Sequence, residues 1–420
     1  MTRDGGMRFS SGMLRCAAVA VAICIAVYPT GLSADPAFDK FIQSLWPQAQ
    51  QAGVSRKTFD AATRGLEPDL TLPDLDIPGR VEKPPAQPEF VQTPAAYLSE
   101  TTIDRYAAQG RKLAGQHRDT LRRIEREYGV PGNVVLAIWA RETAFGGYKL
   151  PHDAMRVLAT QAYFGRRKDQ FRQEFLQALK ILEEGHVTLG ELKSSWAGAM
   201  GHTQFLPSDF FKHAVDFDSD GKRDIWNSVP DALASAASQL AGKGWERDRR
   251  WAYEVRVPTS FDCTKAEPGF TLTLREWVKR GFAPAFDRKL NERELDEPAS
   301  LLMPEGNYGP AFLTPKNYFV LKDYNFSDLY VLFVGHLSDR IAGAKPFEKA
   351  WSKSDQMRTA QVEEMQRILT AKGTYRDKID GKAGMLTRAA LGEYQKANGL
   401  KLDCWPTAAV LEHMRGTAKK

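Results

Sequence analysis

A single glutamate at the end of a predicted helix could act as a general acid. The segment from Asn133 to Glu142 has apolar residues at helical spacing. Val135 and Ile138 share a helical face with Glu142, and we expect that face to be buried. Burial disfavours a charged carboxylate and raises its pKa, so the group would stay protonated near neutral pH and could give a proton to a leaving group. The alternative is that Glu142 bends out to solvent or pairs with Arg141.

A glycine-containing segment from Ser195 to Ser208 is the second candidate for chemistry. Gly198 and Gly201 lack side chains, which lets the backbone come close to a ligand or to another helix. Gln204 offers both a donor and an acceptor, which suits a sugar hydroxyl or amide. On its own, a turn of this kind is more often structural than functional.

An acidic loop could hold a divalent cation. It follows the opening of a calcium loop, with carboxylates at alternate positions and a glycine for the turn: Asp216, Asp218, Asp220 and Gly221. Its twelfth position is Asn227 rather than a bidentate glutamate, so Asp224 and Asp231 would have to supply further oxygens. The sequence therefore leaves two alternatives: a structural Ca²⁺ site at Asp216, Asp218, Asp220 and Asp231, or a polar surface turn without metal, which is the favoured of the two.

The composition is that of a globular protein with more than one domain. The chain has 420 residues, of which 43% are hydrophobic and 26% are charged, so we expect two or three domains. The formal net charge of +6 favours an anionic partner without identifying one. The sequence contains no Lys/Arg block with interleaved aromatic residues, so nucleic acid is not an expected partner.

Residues 1–34 are predicted to be a secretory signal peptide. Arginines precede an apolar run from Cys16 to Tyr28, and small residues follow up to Ala34, after which we expect cleavage. Neither Cys16 nor Cys24 has the preceding small residues that lipid attachment needs. We therefore expect export to the periplasm in soluble form, with an uncleaved anchor as the alternative.

Two cysteines remain outside this segment, Cys263 and Cys404. In an oxidising compartment they could form a disulfide, or they could stay as separate thiols in different domains. The sequence has no CxxC or HExxH motif and its histidines are scattered, so a zinc site is not expected.

Helical periodicity dominates from about residue 97 to residue 340 and predicts a mainly α fold. Asn133 is the expected N-cap of the helix that carries the candidate acid, and Gly146–Gly147 is its expected stop signal. Residues 66–94 are rich in proline, which predicts an extended strap. Residues 252–270 have a weaker helical pattern than their surroundings.

The last part of the chain predicts a linker at residues 344–358 and a small unit of three short helices at residues 359–416, with Thr387 and Thr407 as N-caps. Its order of DGxxGxxT, YQ and GL resembles the peptidoglycan-binding domain 1 family. That family commonly has a second Asp-Gly turn, but here Asp403 is followed by Cys404, a poor choice if the position needs a positive φ. The resemblance implies wall binding, and the alternative is a helical bundle that only docks on the main domain.

Five blocks further up the chain resemble the lytic murein transglycosylase B family. They follow one another in that family's order between about residues 38 and 343, at residues 137–146, 195–207, 224–232, 309–313 and 323–330. The resemblance implies a lysozyme-like catalytic domain over residues 35–343.

The same resemblance implies roles for individual residues. Glu142 falls on the single catalytic acid/base, and Arg166 and Arg167 match an arginine pair that lines the glycan cleft. Other substrate-contacting positions of the family match Ser195, Gln204, Tyr324, Asn325 and Tyr330. Ser238–Gln239 stands where the family often has Asn-Tyr, which puts a stacking tyrosine in doubt. Arg166 and Arg167 would bind lactyl or peptide carboxylates, and the alternative is a solvated basic helix start.

The implied function is that of a periplasmic lytic transglycosylase. It would cleave the MurNAc–GlcNAc bond of peptidoglycan with the muramic 6-hydroxyl as nucleophile, which leaves a 1,6-anhydro end. A hydrolysing muramidase would need a second carboxylate near Glu142, and a catalytically idle wall-binding protein is the other alternative. No cofactor is required apart from the structural Ca²⁺ considered above. Peptidoglycan strands are the expected partner, and cell-wall synthesis or division proteins are candidate partners that the sequence does not identify.

Overall fold

The computed structural model describes residues 36–80, 92–259, 261–352 and 357–418. It is mainly helical, as predicted, and the predicted signal peptide lies outside the described residues. None of the helices in these ranges is both long enough and apolar enough to cross a membrane. The N-terminal part contains seven helices among its described residues: α1 Pro36–Ser44, α2 Trp46–Gln51, α3 Arg56–Thr63, α4 Pro94–Tyr97, α5 Glu100–Gln116, α6 Arg118–Tyr128 and α7 Gly132–Thr143.

The next part of the chain adds four helices and a two-stranded antiparallel ribbon: β1 His152–Asp153, α8 Ala154–Phe164, α9 Lys168–Glu183, β2 Lys193–Ser194, α10 Pro207–His213 and α11 Val229–Gly242. The helices bury two large hydrophobic clusters. One cluster joins α1–α3 to α8–α10, and the other joins α5–α7 to α11. Tyr324 packs against both clusters, so it lies at the boundary between the two helical groups.

A five-stranded antiparallel sheet follows, and the prediction of helical periodicity up to residue 340 is wrong for this part of the chain. Its strands are β3 Tyr253–Arg256, β4 Thr271–Thr273, β5 Ala283–Pro284, β6 Pro298–Leu302 and β7 Ala311–Thr314, in the order β4-β6-β7-β3-β5. Short helices α12 Leu274–Lys279 and α13 Glu292–Leu295 lie between the strands. β6 and β7 are short apolar runs that are buried almost throughout, and such runs carry no alternation to distinguish them from helix.

Two further helices complete this domain: α14 Lys316–Tyr324 and α15 Asp328–Ile341. Ser327 is the N-cap of α15, because its side chain accepts a hydrogen bond from the backbone N–H of Tyr330. The packing of α15 against α5 and α7 places its first turn beside the end of α7.

The proline-rich segment is partly as predicted. Residues 66–80 form turns rather than regular elements, and Leu75 makes an antiparallel bridge with Gly165. Pro94, which we expected in the extended strap, is instead the first residue of α4, since Thr93 caps that helix and proline suits its first position. Residues 81–91 lie outside the described residues.

Three helices form the C-terminal module: α16 Thr359–Ala371, α17 Met385–Ala397 and α18 Ala408–Ala418. Thr407 accepts a hydrogen bond from the N–H of Val410, as expected of an N-cap. The N-cap prediction is wrong for Thr387, because the N-cap of α17 is Gly384, three residues earlier. The Thr387 hydroxyl is buried, where it accepts from Gln366 Nε2.

The module docks on the preceding domain through a covalent bond and close packing. Cys263 and Cys404 form a disulfide, which resolves the two alternatives left by the sequence. Cys404 has a φ of 52°, so the residue after Asp403 does adopt the left-handed conformation. A Cβ at Gly306 would lie 2.1 Å from the backbone oxygen of Asp403, so only glycine permits this approach.

The predicted linker is also held against the domain over its described residues. Glu254 accepts hydrogen bonds from the backbone N–H groups of Glu348 and Lys349, and the ring of Phe347 stacks on His336 with centroids 3.9 Å apart. Residues 347–349 of the predicted linker therefore lie on the surface of the preceding domain.

Candidate active site

Helix α7 positions the candidate acid. Asn133 is not its N-cap, which is Pro131. The Asn133 amide instead donates to the backbone oxygen and hydroxyl of Ser338 at 3.0 and 2.9 Å, which ties α7 to α15. The helix ends at Thr143, before the predicted glycine stop, because Ala144 adopts a left-handed φ of 50°.

Glu142 lies in the last turn of α7 and is half-buried. Val135 and Ile138 are fully buried, as predicted for this face. The phenol of Tyr330 donates a hydrogen bond to Oε1 of Glu142 at 2.5 Å. The neighbouring Arg141 stacks on the ring of Tyr97, with its guanidinium carbon 4.6 Å from the ring centroid. Glu142 therefore has a buried hydroxyl donor from a distant part of the chain.

Tyr324 and Tyr330 form a stacked pair next to this carboxyl. Their ring centroids are 6.4 Å apart and their planes differ by 11°. Burial, followed by the charge of Glu142, raises the pKa of both phenols well above the ordinary value, so both stay protonated as donors. Tyr324 donates to the backbone oxygen of Thr203 at 2.7 Å, which connects the pair to the glycine-containing turn.

The predicted glycine-containing turn is tightly closed. Ser195 Oγ accepts hydrogen bonds from the N–H groups of Ala197 and Ala199, so this hydroxyl organises the turn. A Cβ at Gly198 would lie 2.4 Å from Leu158, and one at Gly201 would lie 2.7 Å from the backbone oxygen of Ile225. The two glycines therefore allow close packing within the protein.

Gln204 and Asn325 each hydrogen-bond to the backbone close to their own positions in the chain. Gln204 has a left-handed φ of 53°, and its Nε2 donates to the backbone oxygen of Gly201 at 3.0 Å. Its side chain is half-buried and already engaged in the turn. Asn325 follows α14, and its Oδ1 accepts the N–H of Ser327 at 3.1 Å. Both side chains support the local backbone.

Two residues that the sequence analysis did not single out link α7 to the turn. Trp139 donates its indole N–H to Nδ1 of His202 at 3.2 Å, and Thr143 donates to the backbone oxygen of His202 at 3.3 Å. Burial lowers the pKa of His202, opposed by the charge of Asp224, so the ring is neutral with its proton on Nε2. The sequence offered one signal for a role of Trp139, namely its position one helical turn before Glu142.

Arg166 and Arg167 form a separate cluster with the proline-rich segment. Both are about half exposed, and both pair with Asp74, at 3.8 and 3.4 Å. Arg167 is the N-cap residue of α9, and its guanidinium lies over the ring of Phe171. The structure therefore brings Glu142, Tyr324 and Tyr330 together and joins the two arginines to the strap.

The acidic loop gathers three of its four predicted ligands. Carboxylate oxygens of Asp216, Asp218 and Asp231 lie within 4.8 Å of one another. Asp216 Oδ2 accepts the N–H of Gly221, and Gly221 has a left-handed φ of 92°. Asp220 is not in the group, because its carboxylate turns to the N–H of Lys222. Burial raises the pKa of Asp231 despite three backbone hydrogen bonds.

The departure at Gln239 leaves a buried amide in α11. The side chain is 5% exposed, and within the described residues its Oε1 has no hydrogen-bond partner. A glutamine here offers no aromatic face for a sugar ring.

Comparison with known proteins decides the family. Residues 37–339 match the family described as transglycosylase SLT domain, and residues 358–414 match the peptidoglycan binding domain family. The chain belongs to the transglycosylase SLT domain family. Its fold is lysozyme-like, as expected, and the protein is an enzyme, a lytic transglycosylase that cleaves peptidoglycan.

Three relatives illustrate the match. The membrane-bound lytic murein transglycosylase B of Escherichia coli is 27% identical over 316 residues, which cover 71% of this chain and 84% of the relative. SltB3 from Pseudomonas aeruginosa, solved in complex with NAG-anhNAM-pentapeptide, is 38% identical with a TM-score of 0.82, covering 90% of this chain and 99% of that one. Escherichia coli Slt35 in complex with calcium is 24% identical with a TM-score of 0.57, covering 73% and 93%, and shows the shared fold.

Proposed function

We propose that Glu142 is the single acid/base of this lytic transglycosylase. The observation that supports it best is the hydrogen bond from the Tyr330 phenol to Oε1 of Glu142 at 2.5 Å, at the end of a buried helix. This bond fixes Oε1 and so sets the orientation of the Glu142 carboxyl at the end of α7. A fixed, partly desolvated carboxyl is suited to giving and taking one proton.

The proposed reaction uses the Glu142 carboxyl twice, first as an acid and then as a base. Glu142 donates it to the glycosidic oxygen, the bond from this oxygen to the muramic C1 breaks, and the GlcNAc side leaves as an alcohol. The muramic 6-hydroxyl then attacks C1, and Glu142 takes the hydroxyl proton. The C1–O6 bond closes a 1,6-anhydro ring without consuming water, so one carboxyl suffices. An anhydro sugar in the complex of the related SltB3 is consistent with this product.

The hydrolysing alternative needs a second carboxylate that activates water or acts as a nucleophile. Apart from Glu142, the carboxylate whose charge raises the pKa of Tyr324 is that of Asp209. Asp209 forms an ion pair with Lys212, with 3.7 Å between Oδ1 and Nζ. The hydrogen bond to Oε1 of Glu142 comes from a phenol, that of Tyr330. Mass spectrometry of products from purified sacculi tests the proposal, since lytic products are one water lighter than hydrolytic products and have no reducing end. Free reducing ends would support the muramidase.

Substrate contacts are proposed for the polar groups around the carboxyl. The two phenols Tyr324 and Tyr330, the amides of Gln204 and Asn325, and the hydroxyl of Ser195 are the proposed sugar contacts. Since several of these groups also hold the turn, their substitution should alter both KM and stability. Arg166 and Arg167 are proposed to bind lactyl or peptide carboxylates in exchange for Asp74, which their exposure permits.

We further propose that the enzyme acts in the periplasm after removal of residues 1–34. Its catalytic domain would span residues 35–343, followed by a linker at 344–358 and a wall-binding module at 359–416. The match of residues 358–414 to a peptidoglycan-binding family supports the role of the module. Co-sedimentation with sacculi tests it.

A structural calcium ion is proposed for Asp216, Asp218 and Asp231. The three carboxylates repel one another, and a cation between them would offset that repulsion. The N–H of Gly221 orients Asp216 in the way that the first carboxylate of a calcium loop requires. Asp220 would not be a ligand. The ion would hold the loop that precedes α11 and take no part in the reaction.

A further inference from the structure

A buried charged side chain of the C-terminal module lies next to α15, the last helix of the catalytic domain. Arg388 of α17 has only 8% of its side chain exposed, and its Nη2 is 3.7 Å from Oδ2 of Asp328. One turn earlier, Met385 belongs to the same hydrophobic cluster as the core of α7 and α15. A side chain from the module is therefore part of the core that holds the candidate acid.

Asp328 is fixed from several directions. Its Oδ1 accepts hydrogen bonds from the Tyr318 phenol at 2.7 Å and from Lys322, while Arg388 approaches its other oxygen. Burial would raise the pKa of Asp328, but Lys322 and Arg388 together hold it below the ordinary value. The carboxylate therefore stays charged, and a buried charge depends on its partners for its position.

Asp328 is also the first residue of α15, two positions before Tyr330. The adjacent N-cap, Ser327, accepts the N–H of Tyr330 at 3.4 Å. This single turn therefore carries both the ion pair with the module and the phenol that donates to Glu142. A shift of the turn toward solvent would move that phenol away from the carboxyl.

We propose that Arg388 is a positioning residue for glycan cleavage: through Asp328 it holds the first turn of α15 and so sets the Tyr330 phenol against Glu142. The inference rests on the proposed role of Glu142. It makes the wall-binding module a part of the catalytic apparatus, whereas a wall anchor alone would need no buried contact with α15.

The test compares Arg388→Met and Arg388→Lys in the full-length enzyme, with turnover measured on soluble peptidoglycan glycans. Arg388→Met should lower kcat by up to about tenfold, the cost expected for loss of the Tyr330 hydrogen bond itself, with KM changed less than about twofold. Arg388→Lys should recover much of kcat. Lys396→Met is the control, because Lys396 pairs with Asp262 at 2.6 Å across the same interface and neither residue belongs to α15. It should keep wild-type kcat.

A double-mutant cycle separates positioning from a general loss of stability. If Arg388 acts through Tyr330, Arg388→Met should cost much less in a Tyr330→Phe background than in the wild type. Equal costs in both backgrounds, or a wild-type kcat for Arg388→Met, would overturn the proposal. If Arg388→Met melts below the assay temperature, Asp328→Asn carries the same cycle. Reducing ends in the wild-type products would refute the lytic reaction but leave this comparison of turnover intact.

Discussion

Tyr330 donates its phenol hydrogen to Oε1 of Glu142 across 188 residues of sequence. The hydroxyl comes from the first turn of α15 and the carboxyl from the last turn of α7, so the site depends on how these two helices pack. Asn133, at the other end of α7, adds a second link by donating to Ser338 of α15. Contacts at both ends therefore keep the two helices in one register.

Replacement of Glu142 by Gln should abolish catalysis while preserving substrate binding. The amide keeps the shape of the carboxyl but has no titrating proton, so turnover should fall by about two to four orders of magnitude. Turnover on soluble glycans and binding to sacculi are the measurements. Glu125→Gln, which changes an exposed glutamate of α6, should leave both unchanged. Near-wild-type turnover of Glu142→Gln would refute the assignment.

Replacement of Tyr330 by Phe should lower kcat. The phenol donates to Oε1 of Glu142, so the variant loses one hydrogen bond to the proposed acid/base while it keeps the aromatic ring. Loss of a hydrogen bond to a charged group should lower kcat about tenfold. Turnover on soluble glycans is the measurement, and a wild-type kcat would mean that this bond does not contribute to catalysis.

The sequence was sufficient to predict the helix of Glu142 and its buried face, because Val135 and Ile138 recur at helical spacing. It was not sufficient for the start of that helix. Asn133 is a good N-cap by residue type, but its amide is used by Ser338, whose proximity depends on tertiary packing. Strands β6 and β7 were missed because short, fully buried apolar runs have no period that identifies them.

Family resemblance, rather than spacing, pointed to Tyr324 and Tyr330, and it did so as substrate-contacting positions rather than as neighbours of Glu142. No local pattern connects Glu142 to Tyr330, and none connects Arg388 to Asp328, because both contacts join elements that are distant in the chain. In the loop of Asp216, Asp218 and Asp220, by contrast, the local spacing predicted more than the structure contains. Its spacing predicted a shared ligand set, but the backbone turns Asp220 toward the N–H of Lys222 instead.

Calcium should raise the melting temperature of the enzyme, because the ion would bind only the folded loop. Asp218→Ala should abolish this rise, whereas Asp220→Ala should preserve it, since Asp220 lies outside the group of carboxylates. The measurement is thermal unfolding with millimolar calcium against chelator. A calcium-dependent rise that survives Asp218→Ala would place the ion elsewhere, and no rise in the wild type would support a metal-free turn.

As the pH falls, the calcium-dependent rise in melting temperature should weaken at a higher pH than it would at a site of exposed aspartates. Burial raises the pKa of Asp231 above its ordinary value of 3.8, so protons compete with the cation earlier than at an exposed aspartate. The rise in melting temperature should be full near about pH 7 and clearly smaller near about pH 4.5. An equal rise at both values would show that Asp231 does not need to lose a proton on binding.

The disulfide should stabilise the docked module, and the residue chosen to replace Cys404 should matter. The bond closes a loop with a sequence separation of 141 residues, so its loss should cost about 2–4 kcal/mol of unfolding free energy. Cys404 has a φ of 52°, which glycine adopts freely and alanine does not. In a Cys263→Ala background, Cys404→Gly should therefore be about 1 kcal/mol more stable than Cys404→Ala. Denaturant unfolding measures both differences. Equal stability of the two variants would mean that the backbone relaxes once the disulfide is gone, so that the bond itself imposes the left-handed turn.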